Sequence, residues 1–471
     1  MIPCAVYSDS DKDSLHVKYC KEAINIGGNT SAESYLRHDK IIEAAKRMGC
    51  ELIHPGYGFL AENLEFAELC EKEGLIFVGP SSGTLKISGD KIKIKEVASK
   101  VAPITPGKEV WTIEEALDLA ENLQYPIIVK AVKGGGGRGL RIARSPIELT
   151  QVYNSAKNES MISFRSDRLY IEKYLENPRH IEVQVLADDS EVIQLGEREC
   201  SVQRRHQKLI EETPSPALTS DTRKQITETA ISIMNEINYN NAGTVEFLFK
   251  HGDFYFMEVN SRIQVEHPIT EQVTGIDIVE QQLNVASGLG LTVTQRDIKP
   301  NGYAIECRIN AEHPLSFVPF PGTVKKFLPP EGSGIRVDSA LYSGYTIPPF
   351  YDSLIGKLIC YGDTRNEAID RMKHALLSFR ISGIPSTIPF HLAALHDKRF
   401  VEGNYDTSFV NDLRPYTVAD GEMAAAILYQ LPRKLQFLKS SSEQNKWMNS
   451  RLNWFSIDST YNFNSISRWI Q

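Results

Sequence analysis

Long hydrophobic runs are missing from this chain. No segment of its 471 residues is apolar over the length of a spanning helix. The opening Met1-Ile2-Pro3 has no charged stretch leading into an apolar one. The expectation is a cytoplasmic protein with no membrane partner. Cysteine is sparse: seven residues, an odd count without a C-x-x-C pair, form neither a zinc framework nor a secreted disulfide scaffold and read as reduced core thiols. Positive charge is in the minority. A net charge of -8 argues against a nucleic-acid surface, and the cluster Arg198, Arg204, Arg205, His206 and Lys208 is local enough to be a site for a small anion. Internal repeats and low-complexity linkers are absent as well. Of four tryptophans, Trp447, Trp454 and Trp469 fall in the stretch after about Pro415, which is rich in Ser, Asn and aromatics. What remains is an enzyme-sized chain, whose 41% hydrophobic residues supply cores for roughly two to four units.

The most informative segment is GTVEFLFKHGDFYFMEVNSRIQVEH, Gly243 to His267. Period-two alternation puts Val245, Phe247 and Phe249 on one face of a strand and Glu246 and Leu248 on the other. Lys-His-Gly-Asp reverses the chain, and in the returning strand the same period places Phe254, Phe256, Glu258 and Asn260 on one face. Glu246, Glu258 and Asn260 then offer three hard oxygen ligands, few and partly anionic, which suit Mg2+ or Mn2+ bridging nucleotide phosphates rather than a closed cage. Arg262, Gln264 and Glu266 continue the polar alternation too far for a solvated edge hairpin.

Gly134, Gly136 and Gly139 satisfy G-x-G-x-x-G, yet the following LRIARS reads as a strand rather than the helix that a dinucleotide fingerprint requires. The run is a glycine-rich hairpin tip after the buried strand YPIIVKAV, able to close backbone N–H groups on phosphate oxygens or to act as a plain turn. Lys130 in that strand needs a counter-charge, which a triphosphate provides. Strand and helix signals alternate up to about Ser88. The stretch from Gly89 to Asn301 reads as a catalytic body carrying a mobile lid over about 110–175, and a third unit runs from Gly302 to Arg414.

Taken together, NSRIQVEHPITE, HPGYGFLAEN, GDK (Gly89 to Lys91), KAVKGGGGRG, EKYLENPRHIEVQ, ECSVQRRHQK and AIECRINAE resemble the biotin carboxylases of the ATP-grasp superfamily, from about Ile2 to about Leu413. The resemblance implies an α/β (α+β) ATP-grasp fold with a Rossmann-like N-terminal domain (1–88), an ATP-grasp domain (89–301), a C-terminal biotin carboxylase domain (302–414) and a tail (415–471) of unknown role. It implies that Lys91, Lys130 and the run Gly134, Gly135, Gly136 and Gly137 contact ATP. Glu172, Lys173, Tyr174 and Leu175 would border the adenine, with His180 and His206 near the ribose or phosphates and Gln203 close by. Glu246, Glu258 and Asn260 would hold the metal, two ions of Mg2+ or Mn2+. Arg262 would clamp bicarbonate, helped by Lys208, Gln264 and the Val265 backbone. Glu266 would deprotonate bicarbonate, and Arg308 would stabilise the enolate of biotin.

The substrate implied is biotin on a separate carrier protein. No segment resembles a biotinyl-lysine signature, so the biotin carboxyl carrier protein and the carboxyltransferase are expected on other chains, as in an acyl-CoA carboxylase assembled from several polypeptides. Members of the family usually open with one further strand and helix, about 25 to 30 residues. Without them, neighbouring strands are expected to expose unpaired edges. Arg336 matches an interface arginine of a homodimer, and the tail reads equally as a packed extension or a docking surface. A carbamoyl phosphate synthetase-like ligase and a catalytically silent scaffold are the competing readings.

Overall fold

The computed structural model describes residues 1–132, 141–164 and 167–413. Gly134, Gly135, Gly136, Gly137 and the tail lie outside them. Among the described residues, no helix is long and apolar enough to cross a membrane.

Near the start, the strands β1 (Cys4–Tyr7) and β2 (Glu22–Asn25) pair in parallel, as do β3 (Leu52–Ile53) and β4 (Ile76–Phe77). They form two separate two-stranded sheets rather than one continuous sheet. The helix Leu64–Lys72 begins where the Asn63 side chain accepts the Phe66 N–H at 2.7 Å. It buries Phe66, Ala67 and Cys70 against Ile42, Phe77 and Leu85.

The region expected to be a lid builds its own antiparallel sheet from β5 (Gly107–Val110), β6 (Ile127–Ala131), β7 (Arg141–Ala143) and β8 (Leu169–Lys173), in the order β5-β8-β6-β7. β7 is the second strand read from LRIARS. The helices Ile113–Leu123 and Pro146–Phe164 cover this sheet, and Val110, Ala116, Ile127, Val129, Leu149, Leu169 and Ile171 form a core separate from that of the larger sheet.

That larger sheet contains β9 (Arg179–Ala187), β10 (Val192–Arg204), β11 (Gln207–Thr213), β12 (Asn241–Lys250), β13 (Asp253–Asn260), β14 (Tyr303–Asn310) and the strands Ile335–Asp338 and Leu354–Gly362. Among the described residues it has eight strands, in the order β13-β12-β9-β10-β11-β14 followed by Leu354–Gly362 and Ile335–Asp338. The division expected at 301/302 therefore falls inside one hydrogen-bonded sheet, because β14 pairs with β11. One face is apolar. Ile181, Val183, Val245, Phe247 and Phe256 pack under the helix Ser220–Glu236, while Ile305, Cys307 and Leu358 pack with side chains of the helices Arg365–Ser378 and Ile388–His396.

The β12–β13 hairpin turns through His251 (φ 54) and Gly252 (φ 93). Positive φ at both central residues is the two-residue turn whose twist matches the strands. Its register corrects the sequence reading. Glu246 pairs with Glu258 but Phe247 pairs with Phe256, so Met257 is an extra, bulged residue. Phe254 and Phe256 consequently join the apolar core, while Glu258 and Asn260 face the opposite way beside Glu246. A strict period of two would have put Phe256 among the acids or Glu258 in the core.

Candidate active site

Cross-strand register assembles the centre of the site. On the face opposite the apolar core, Glu258, Glu246, Glu182 and Arg198 stand directly opposite one another on β13, β12, β9 and β10. Arg198 is 0% exposed. Its Nε donates to Glu182 Oε1 at 2.6 Å, and its other nitrogens donate to Gln184, Thr270 and Thr244. Lys208, from β11, reaches into the row. Its Nζ donates to Glu182, to Glu246 Oε1 at 2.9 Å and to Glu266 Oε1 at 2.6 Å. Burial alone would lower the Lys208 pKa, but the three carboxylates outweigh it and hold the ammonium charged far above its ordinary range.

Glu266 is fully buried at the start of the helix His267–Thr274. Its second oxygen accepts from Arg308 Nη2 at 2.9 Å. Burial pushes its pKa up; Lys208, Arg308 and Arg198 together overcome that and hold it well below the carboxylate range. Arg308 also donates through Nε to Glu211 Oε1 at 2.6 Å. Its backbone oxygen is fixed by Thr387 Oγ1 at 3.1 Å and His391 Nε2 at 2.7 Å. Arg262 donates through Nε to Glu62 Oε2 at 3.0 Å and through Nη1 to Gln264 Oε1 at 3.2 Å. Gln264 Nε2 in turn donates to Glu246 Oε1 at 3.0 Å, and the Val265 carbonyl accepts from Lys357 Nζ at 3.0 Å. Arg262, Gln264, Glu266, Lys208 and Arg308 are thus one connected network.

A second cluster lies where the four-stranded sheet meets the helix Lys91–Ala98. Glu172, buried at the end of β8, accepts from Lys95, from Lys130 and from Thr105 Oγ1 at 3.1 Å. Burial would raise its pKa, but Lys130 and Lys95 bring it down to about 2. The counter-charge that Lys130 needs is therefore supplied by the protein itself. Lys91 stands one helical turn before Lys95 and senses Glu258 and Lys130. Lys173 is tied by its Nζ to the carbonyls of Gln124 (2.9 Å) and Tyr125 (3.2 Å), and Tyr174 and Leu175 follow before the turn at Asn177 (φ 48). His180 Nε2 lies 3.0 Å from Glu246 Oε2, and Gln203 Nε2 lies 3.5 Å from His180 Nδ1. His206 sits exposed at the tip of the β10–β11 hairpin with φ 65.

The structure corrects the basic cluster. Arg198 and Lys208 point into the buried acidic row, whereas Arg204 donates to the Ser316 carbonyl at 3.3 Å and Arg205 is exposed in the hairpin turn. These five side chains do not form one surface anion site.

Sequence reasoning missed Glu62, Lys95, Glu182, Arg198 as a buried ion, Glu211, Glu306 and Lys357. Some were legible. Polar residues at alternate positions in His180-Ile181-Glu182-Val183-Gln184 and in Glu306-Cys307-Arg308 repeat the signal used for β12. Lys95 at the i+4 position from Lys91 marks the same helix face.

The hairpin passes a chemical test for a divalent cation. Burial, and after it the like charge of Glu246, raises the Glu258 pKa, so a cation beside the pair would relieve both. Two register-paired carboxylates and an amide form a hard-oxygen donor set.

A small antiparallel sheet carrying lysine and glutamate, set against a large sheet with a buried acidic hairpin, defines an ATP-grasp enzyme. Comparison with known proteins agrees. Residues 2–85 match the family described as biotin carboxylase, N-terminal domain; residues 90–294 match the carbamoyl-phosphate synthase L chain, ATP binding domain; residues 306–412 match the biotin carboxylase C-terminal domain. Biotin carboxylase 1 of Bacillus subtilis is 51% identical over 413 residues, covering 86% of this chain and 92% of that protein. A pyruvate carboxylase subunit of Methanothermobacter thermautotrophicus is 50% identical over 415 residues, covering 87% and 84%. Among solved structures, the Campylobacter jejuni biotin carboxylase complex with β,γ-ATP superposes with a TM-score of 0.85 at 47% identity, covering 87% and 92%. The biotin carboxylase domain dimer of Hydrogenobacter thermophilus 2-oxoglutarate carboxylase, in complex with MgADP, ADP and bicarbonate, gives a TM-score of 0.86 at 45% identity, covering 88% and 94%. The chain belongs to the biotin carboxylase family. It is an ATP-dependent ligase.

Proposed function

We propose that this chain carboxylates biotin on a separate carrier protein, using ATP and bicarbonate through carboxyphosphate, as the biotin carboxylase subunit of an acyl-CoA carboxylase. The observation that carries the reading is Glu266 held ionised between Lys208 and Arg308, with Arg262 and Gln264 alongside. Bicarbonate is planar and anionic, and the Arg262 guanidinium, already oriented by Glu62 and Gln264, is a fork that clamps it. Glu266 accepts the bicarbonate proton. Its depressed pKa makes it a weak base while both cations hold it; drawing Arg308 toward the ureido oxygen of bound biotin removes one of them and strengthens it. Bicarbonate oxygen then attacks the γ-phosphorus and ADP departs; carboxyphosphate splits into CO2 and phosphate, the phosphate takes the ureido N–H proton of biotin, and the nitrogen of the resulting enolate attacks CO2.

Lys91 and Lys130 neutralise phosphate charge, Lys130 exchanging Glu172 for the nucleotide. The run Gly134, Gly135, Gly136 and Gly137 would contribute to binding ATP. Glu172, Lys173, Tyr174 and Leu175 border the adenine, and His180, His206 and Gln203 line the ribose and phosphate side. Glu246, Glu258 and Asn260 would hold Mg2+ or Mn2+, two ions, which when bound neutralise phosphate charge and fix the phosphates in line.

The carrier and the carboxyltransferase are the partners, and a homodimer fits the family. Arg336 is engaged within the chain, with Glu271 Oε2 at 2.7 Å and Asp338. Two relatives act in their names on keto acids, which makes a keto acid the runner-up for the final acceptor. ADP release from the purified chain with Mg-ATP, with and without bicarbonate and free biotin, tests the proposal. Bicarbonate-dependent release stimulated by biotin is expected; release driven by ammonia would favour a carbamoyl phosphate synthetase-like ligase, and ATP binding without hydrolysis a silent scaffold. Reconstitution with acyl-CoA or keto-acid carboxyltransferases identifies the acceptor.

A further inference from the structure

Arg308 is held from behind by a residue pair that the proposed carboxylation does not use. Its Nε donates to Glu211 Oε1 at 2.6 Å. The other oxygen of Glu211 is buried and has no donor. Directly across the ladder, on β14, the register partner of Glu211 is Glu306. Both oxygens of Glu306 are likewise buried without a donor. Register partners in an antiparallel ladder carry Cβ atoms about 4.5–5.5 Å apart on the same face, so two carboxyl groups meet.

Two bare anions in one buried place are costly. The cations near Glu306, Lys357 and Arg308, pull on its charge but spend their hydrogens elsewhere. Lys357, on the adjacent strand, directs Nζ to the Val265 carbonyl at 3.0 Å and to Asp338 Oδ2 at 3.5 Å. Arg308, on the same strand, divides its guanidinium between Glu211 and Glu266. Glu266 adds negative charge from the helix His267–Thr274, and the Tyr57 phenol from the loop before Leu64 lies in the same field. One proton shared by the pair removes a charge and joins one Glu306 oxygen to Glu211 Oε2 in a hydrogen bond. Consistent with this, burial outweighs the pull of Lys357 and, with Glu211, pushes the Glu306 pKa well above the carboxylate range. Burial and Glu266 together overcome Arg308 and bring Glu211 to about 7. The titration belongs to the pair.

We propose that Glu306 is a positioning residue: it carries a proton, donates it in a hydrogen bond to Glu211, and leaves Glu211 as the single ionised acceptor that aims Arg308 at Glu266 and the substrate. The inference rests on the role of Arg308 proposed above. Deprotonation at alkaline pH places a second negative charge behind Arg308 and draws it away from the reaction.

The test combines two readouts. Infrared difference spectra of wild type against Glu306→Gln are expected to show a protonated carboxylic-acid carbonyl band, sensitive to D2O, that the variant lacks. In steady-state assays Glu306→Leu, which removes the donor, lowers kcat/KM for biotin roughly tenfold or more. Glu306→Gln, a neutral donor of the same shape, recovers most of that loss and shifts or abolishes the alkaline limb of the pH profile. Absence of the acid band in wild type overturns the proposal, as does a Gln variant no better than Leu or one with an unchanged alkaline limb. If Glu306→Leu fails to fold, the infrared band and the pH profile of Glu306→Gln decide alone. A wild type that shows the acid band but does not carboxylate biotin refutes the functional reading and leaves the proton assignment standing.

Discussion

Arg198 and Glu199 are neighbours in one strand, and they serve opposite faces of the same sheet. On the apolar face, Glu199 accepts from Ser201, from Ser215 Oγ at 2.7 Å and from Arg179 at 3.2 Å. Its register partner Glu212 takes Arg365 at 2.6 and 2.9 Å on its two oxygens, with Tyr405 as a further donor. Among the described residues, neither glutamate there has a buried oxygen without a partner. On the site face, Glu211, Glu306, Asn260 and Asn310 all retain buried polar atoms without one. Closed networks tie β10 and β11 to the segment 365–405 and serve stability. The open network keeps buried polar atoms without a partner around the candidate site, at a cost that the closed half helps to offset.

The largest test of this contrast is Glu266→Gln, which should lower carboxylation on the order of 10²–10⁴-fold, far beyond what its loss of thermal stability accounts for, since Lys208 keeps Glu182 and Glu246 and Arg308 keeps Glu211. The counterpart on the closed face is Glu212→Ala. Leaving Arg365 buried without its carboxylate should destabilise by about 3–5 kcal/mol in urea titrations, with the turnover of the folded fraction preserved. Loss of activity from Glu212→Ala without loss of stability would dissolve the distinction.

A third test lies in the four-stranded sheet. The Glu172 carboxyl is depressed from 4.5 to about 2. A group depressed on folding contributes stability that is fully present above its unfolded pKa and is lost as pH falls toward the folded one. Between pH about 4.5 and about 2, this sheet should therefore lose about 3 kcal/mol. Amide exchange of β6 and β8 on acid titration would report it, and Glu172→Gln should abolish that dependence. The smallest effect belongs to neither face. Lys224 and Glu228 are 74% and 63% exposed at 3.8 Å, and Lys224→Ala should change stability by less than about 0.5 kcal/mol.

Much of the candidate site is legible in the sequence. Glu246, Glu258, Asn260, Arg262, Gln264 and Glu266 stood out because acids and amides recur at alternate positions of a strand-like pattern. The bulge at Met257 did not, because one inserted residue changes the facing of everything after it without changing composition. Lys130 was correctly seen to need a counter-charge, but the sequence holds no record that Glu172, 42 positions later, sits within reach across β6 and β8. The same holds for Glu62, which meets Arg262 across 200 positions.

By itself, then, the sequence determined the local grammar of this protein: where strands and helices begin, which strands carry buried polar residues, and which motifs name its family. Only the tertiary structure decided which charges share a neighbourhood. Periodicity acts over a few residues, whereas the pairing of Lys208 with three carboxylates, of Arg308 with Glu211 and Glu266, and of Glu211 with Glu306 depends on strand order and register. Those are set by how the whole sheet closes over its core.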